Sequence, residues 1–146
     1  MMKIQEIDKV AFEKQVIDKF LGLPYVNKGR GPEGIDCWGL ILGVYEMTGF
    51  KLFDIPTIDY SKDWAKSGGN YLAENLWREW QPVDDPKFLD GVLFVNMEGV
   101  AHHGGVILSE GKFIHATKYG VIVSKFTDAF FKERIQGFYR LKNLYV

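Results

Sequence analysis

From Ile7 to Leu21 the apolar residues Val10, Ile17, Phe20 and Leu21 recur at helical spacing, behind Asp8 as an N-cap and ahead of Gly22 and Pro24 as stops. This pattern predicts a first amphipathic helix. The stretch NKGRGPEGID that follows holds three glycines and a proline and predicts an irregular loop. From Cys37 to Thr48 the apolar residues Trp38, Leu40, Ile41, Val44, Tyr45 and Met47 cover most of a helix circumference, which suits a helix buried against a sheet. Asp36 stands at its N-cap, Gly49 ends it, and Gly39 and Gly43 permit another element to approach closely.

Beyond Gly49 the pattern weakens. KLFDIPTIDY reads as extended, and residues 63 to 80 carry Trp64, Tyr71, Leu72, Leu76 and Trp77 at mostly helical intervals, broken near the start by Gly68 and Gly69. The segment from Phe50 to Pro86 is read either as a lid over a groove or as plain packing. After Pro86 the period changes to short apolar runs divided by turn residues: GVLFVNM, GGVILSEG, KFIHATKYG, VIVSKF and, after a small helix around Asp128 to Lys132, QGFYRLKN. Helices first and about five strands last predict a single α+β domain over residues 1–146, with the Cys37 helix packed on a C-terminal antiparallel sheet.

Composition narrows the function classes. At 146 residues, 47% hydrophobic and 25% charged, the chain reads as one globular domain. A net charge of -1 and the lack of a Lys/Arg stripe give no footprint for nucleic acid. No run approaches the roughly 18 apolar residues of a membrane span, and the start MMKIQEIDKVAFEKQ does not read as a secretory signal. The expectation is a soluble product made in the cytoplasm, with no nucleic-acid or membrane partner.

Cys37 is the chain's only cysteine, so it is either a small buried hydrophobe or a reactive thiol. All three histidines, His102, His103 and His115, fall in the strand half. A cysteine at a helix start faced by a histidine on a sheet suits a thiol nucleophile: the helix terminus and a histidinium favour thiolate, and the imidazole returns the proton to a leaving amine. Neighbouring strand residues point to opposite faces, so His102 and His103 cannot both address Cys37, and parity alone does not choose. A strict two-residue turn at Ser109-Glu110-Gly111 sets Val106 opposite His115 and leaves His103 on the other face; a bulge allowed by Gly104, Gly105 or Gly111 changes that parity. His102 and His103 also read as edge-strand surface residues, and His115 as a core histidine. A zinc site of one cysteine and three histidines lacks any CxxC or HxxxH spacing to support it.

LGLPYVNKGRGPEGIDCWGL and HGGVILSEGKFIHAT resemble the two motifs of the NlpC-type cysteine peptidases, a papain-like family of bacterial cell-wall hydrolases. The first family motif reads approximately G-x-P-Y, glycine-rich loop, D-C-x-G-L; in the second a histidine opens H-x-G and another follows in F-I-H-A. The resemblance implies a papain-like fold with Cys37 as nucleophile, His103 as general base and acid, and His115 as the orienting residue. It places Tyr25, Asp36 and Trp38 beside the site for substrate or oxyanion binding, and needs no metal or organic cofactor. The implied substrate is the peptidoglycan stem peptide, cleaved at a γ-D-glutamyl to diamino-acid amide bond.

Most members carry serine where this chain has Trp38. The DCWGL form and the ending QGFYRLKN resemble the bacteriophage or prophage tail-protein branch, which implies other tail proteins as partners and the bacterial cell wall as the site of action. Two further readings stand beside the peptidase: a non-catalytic structural or binding module of a tail tip, and an acyltransferase or amidase on the same scaffold.

Overall fold

The computed structural model describes residues 7–49, 80–97, 99 and 101–142. The expected lid or packing segment therefore lies outside the described residues up to position 79, and with it the helical reading of residues 63–79 and the Gly68-Gly69 break. Helix α1 (Lys9–Phe20) starts as predicted, with Asp8 accepting the Ala11 N–H at 3.2 Å. Its buried face differs from the predicted one. Phe12, Val16 and Phe20 go inward, whereas Val10 is 83% exposed, because the i, i+4, i+8 row presents the larger aromatic surface to the core.

The glycine-rich loop forms a small hairpin, β1 (Arg30–Gly31) and β2 (Gly34–Ile35), before helix α2 (Cys37–Glu46). A six-stranded sheet follows: β3 (Trp80–Val83), β4 (Gly91–Val95), β5 (Ala101–Ile107), β6 (Lys112–Thr117), β7 (Gly120–Lys125) and, after the short helix α3 (Ala129–Lys132), β8 (Ile135–Leu141). Every pairing is antiparallel, in the spatial order β3-β8-β4-β5-β6-β7. Strand β3 is the addition to the predicted set, since Trp80 opens a strand rather than ending a helix. WQPV pairs along the outer side of β8, and Pro82 fits an edge strand because one side of an edge needs no ladder N–H.

Both faces of the sheet are buried. One carries Leu93, Val106, Ile114, Ala116, Tyr139 and Leu141 against α1 and α2, and this is the main core. The other carries Val92, Phe94, Ile107 and Phe113, with Ile135 and Phe138 of β8 beside them and Phe126 and Phe131 packed against them. Helix α2 lies close on the first face, and α1 lies close on α2: a methyl on Gly43 would come within 2.8 Å of the Phe20 ring. At the opposite end of the sheet, Arg140 grips the buried Asp90 through Nε and Nη2 at 2.9 and 2.7 Å, fixing β8 to the turn before β4. Among the described residues, no helix is long and apolar enough to cross a membrane.

Candidate active site

The start of α2 is built by Asp36. Its carboxylate is wholly buried and accepts the Gly39 N–H at 2.8 Å, the Lys28 N–H at 2.9 Å and Arg30 Nη1 at 2.9 Å. One side chain thus caps the helix, holds Lys28 in a left-handed conformation (φ 61°) and draws the loop cation inward. The oxyanion or substrate role expected of Asp36 is not what this geometry provides: a buried carboxylate engaged by three donors positions the loop and offers no donor of its own. Trp38 is likewise displaced from its expected place. At 3% exposure its side chain lies in the main core with Ile41, Trp80 and Tyr139, where the helix rotation directs its second residue. Tyr25 sits at the rim of the same loop, its main chain bridged to Ile35 and its ring partly buried on the core.

Cys37 is the first residue of α2 and is 4% exposed. Burial, reinforced by the Asp36 charge, pushes its thiol up to about 12; the N–H groups of Gly104 and Trp38 act in the opposite direction and do not win. The thiolate expected from the helix terminus is therefore not the resting form. The Gly104 amide that reaches the sulfur immediately follows His103, so the helix start meets the β5 backbone next to the histidine, whose ring lies on the other face of the sheet with Phe94 and His115.

The relative parity of His103 and His115 is set by a three-residue turn between β5 and β6. Leu108 N–H donates to Lys112 O at 2.8 Å across Ser109-Glu110-Gly111, with Glu110 and Gly111 at positive φ. The register then sets Gly105 opposite His115. His103, two residues from Gly105, shares the face of His115, and the rings meet diagonally with His103 Nε2 at 2.7 Å from His115 Nδ1. His115 is 1% exposed, its ring centroid 4.3 Å from that of Phe113 and edge-on to Phe131 at 5.4 Å. His115 Nε2 lies 2.8 Å from Ser124 Oγ.

Burial holds His103 down to about 3, helped by the neighbouring imidazoles, and holds His115 down to about 4. Thiol and imidazoles are all neutral at rest. His102 is exposed, its ring centroid 6.1 Å from that of His103. Beside His103 a cleft of about 310 Å³ opens between Phe94, Met97, His102, Phe130 and Arg134. Residues Ser124, Phe130 and Arg134 were not legible as site residues. VIVS is apolar at three successive positions and Ser124 shares the parity of the exposed Ile122, so nothing in sequence marked Ser124, Phe130 or Arg134. Among the described residues, no group of three or more His, Cys, Asp or Glu side chains is arranged to hold a metal ion.

A buried helix that begins at Cys37 on one face of an antiparallel sheet, with two bonded histidines among the aromatic rings of the other face, is an α+β arrangement. The NlpC/P60 family pattern matches residues 22–140, and the chain belongs to that family. It is 33% identical over 103 residues to the γ-D-glutamyl-L-lysine dipeptidyl-peptidase of Bacillus subtilis, a match that covers 69% of this chain and 30% of that relative. An NlpC/P60 family protein of Bacillus cereus superposes with a TM-score of 0.65 at 22% identity, over 92% of this chain and 40% of the other. The NlpC/p60 domain of the peptidoglycan hydrolase SagA superposes with a TM-score of 0.58 at 24% identity, over 92% of this chain and 100% of the other. These likenesses carry the fold, including the helix-then-sheet order expected from the sequence.

Proposed function

We propose that the protein is a cysteine peptidase that hydrolyses peptidoglycan stem peptides, with Cys37 as nucleophile, His103 as general base and acid, and His115 as the orienting residue. The observation that carries the reading is the 2.7 Å contact of His103 Nε2 with His115, one residue from the amide that touches the Cys37 thiol. With Nε2 occupied, Nδ1 is the ring nitrogen left for the thiol proton. As sulfur attacks the amide carbon, that proton passes to His103 Nδ1, and the Cys37 N–H at the helix start faces the developing oxyanion. Collapse transfers the proton from Nδ1 to the leaving amine and leaves a thioacyl-enzyme, which water activated by His103 hydrolyses. Starting from a neutral pair, the proton moves during attack rather than before it.

The bond proposed is the γ-D-glutamyl to diamino-acid amide, supported by the name of the Bacillus subtilis relative. The cleft at His103 has apolar walls for the peptide and the Arg134 guanidinium for a carboxylate. The further proposal of a phage or prophage tail component acting at the cell wall rests on the DCWGL form and the QGFYRLKN ending. A second reading, a non-catalytic tail module, is favoured by the near-complete burial of Cys37.

Incubation of the protein and its Cys37→Ala variant with purified stem peptides, with products read by mass spectrometry, separates these readings. Fragments cut at the γ-D-glutamyl bond by the parent alone are expected. Intact peptides in both samples, across several stem-peptide types, would favour the tail module.

A further inference from the structure

The hydrogen-bond chain does not end at His115. Ser124 lies on β7 opposite Phe113, while Ile122 stands opposite His115, so the His115–Ser124 contact is diagonal just as the His103–His115 contact is. Three side chains on the consecutive strands β5, β6 and β7 thus form one bonded row on one face of the sheet. His115 is engaged at both nitrogens, Nδ1 by His103 and Nε2 by Ser124, with Phe113 and Phe131 against its ring.

A neutral imidazole carries one N–H and one lone pair, so its two contacts must run in opposite senses. If the Ser124 hydroxyl accepts from His115 Nε2–H, then His115 Nδ1 accepts from His103 Nε2–H, and His103 Nδ1 bears a free lone pair. If Ser124 donates instead, His115 Nδ1–H donates to His103 Nε2. His103 Nδ1 is then already protonated and has no lone pair for the thiol proton.

We propose that Ser124 is a positioning residue, the acceptor that holds His115 in its Nε2–H tautomer and so sets His103 as a base at Nδ1. The catalytic consequence rests on the peptidase reading; the tautomer assignment does not. No proton travels along the row. On attack the thiol proton arrives at His103 Nδ1, Nε2–H continues to donate to His115, and the same Nδ1 proton leaves with the amine.

The test uses the full chain with isotope-labelled histidine, reading imidazole nitrogen shifts at neutral pH, alongside stem-peptide kinetics. Nε2–H tautomers at both His103 and His115 are expected in the parent. In Ser124→Ala, His115 should become a tautomer mixture and kcat should fall about tenfold with KM unchanged, because only the molecules with His115 in the Nε2–H form keep a base at His103 Nδ1. Ser124→Thr, which keeps the hydroxyl, should restore both readouts. An Nδ1–H tautomer at His103 in the parent, or unchanged tautomers in Ser124→Ala, would overturn the assignment. If the parent cleaves no stem peptide, the peptidase reading fails while the tautomers still decide the role of Ser124.

Discussion

At Cys37 two effects act on one sulfur in opposite directions. A helix terminus favours a negative charge by about 1 kcal/mol and at most ~2. The rise from an ordinary 9.0 to about 12 corresponds to about 4 kcal/mol against the thiolate, so burial wins. Alkylation by iodoacetamide should therefore accelerate with pH past about 8.5 without reaching a plateau. Poor access to a side chain that is 4% exposed lowers the rate at every pH but leaves the midpoint unchanged, so the midpoint is the informative quantity. A plateau at or below neutral pH would show a preformed thiolate and reverse this account. Cys37, His103 and His115 were legible as candidates because their residue types are scarce and their motifs specific. Their charge state was not, because it depends on how deeply the fold buries them, which no local pattern encodes.

Among the elements, the turn at Ser109-Glu110-Gly111 and the loop before α2 carry the site. The β5–β6 register was not readable from alternation because both sheet faces are apolar: Val106 and Ile114 on one, Ile107 and Phe113 on the other. The decisive constraint is remote in sequence. Glu13 of α1 accepts the Ser109 N–H at 2.7 Å and pairs with Lys112 at 3.1 Å, clamping both ends of the turn. Strand β3 escaped detection for a related reason, since its identity comes from pairing with β8 and its four residues have no period of their own. The loop before α2 depends instead on Asp36. Asp36→Ala removes the acceptor of the Gly39 and Lys28 N–H groups and one partner of the partly exposed Arg30 guanidinium, and should cost about 1–3 kcal/mol. Asp36→Asn, which keeps one acceptor oxygen, should cost less. Urea unfolding midpoints check both, and equal losses would mean that the charge rather than the set of acceptor bonds stabilises the loop.

For the whole molecule, covering both faces of the sheet is what buries the histidines, and it couples the site to global stability. The second face, with Phe94, Phe113 and Phe131 around the imidazoles, was unforeseen: the apolar runs suggested a sheet packed on the cysteine helix, and a second cluster depends on Phe126 and Phe131, from the segment between β7 and β8, packing on the other side. In the folded protein His103 and His115 stay neutral until pH falls to about 3 and 4, whereas in the unfolded chain they take up protons near 6.5. The unfolded state therefore binds more protons between those limits. Stability contributed by these groups is fully present above about pH 6.5 and is lost as pH falls through that window, by at most about 1.4 kcal/mol per pH unit for each histidine. Thermal unfolding followed from pH 7 to pH 4 should show a steady fall in Tm, well before most carboxylates are protonated. His115→Gln removes one of the two groups, so its Tm should start lower at neutral pH and decline less steeply, the two curves converging towards acid. Parallel curves would place the acid sensitivity elsewhere, in the carboxylates, and would mean that the imidazole row is open enough to water to carry a proton in the folded state.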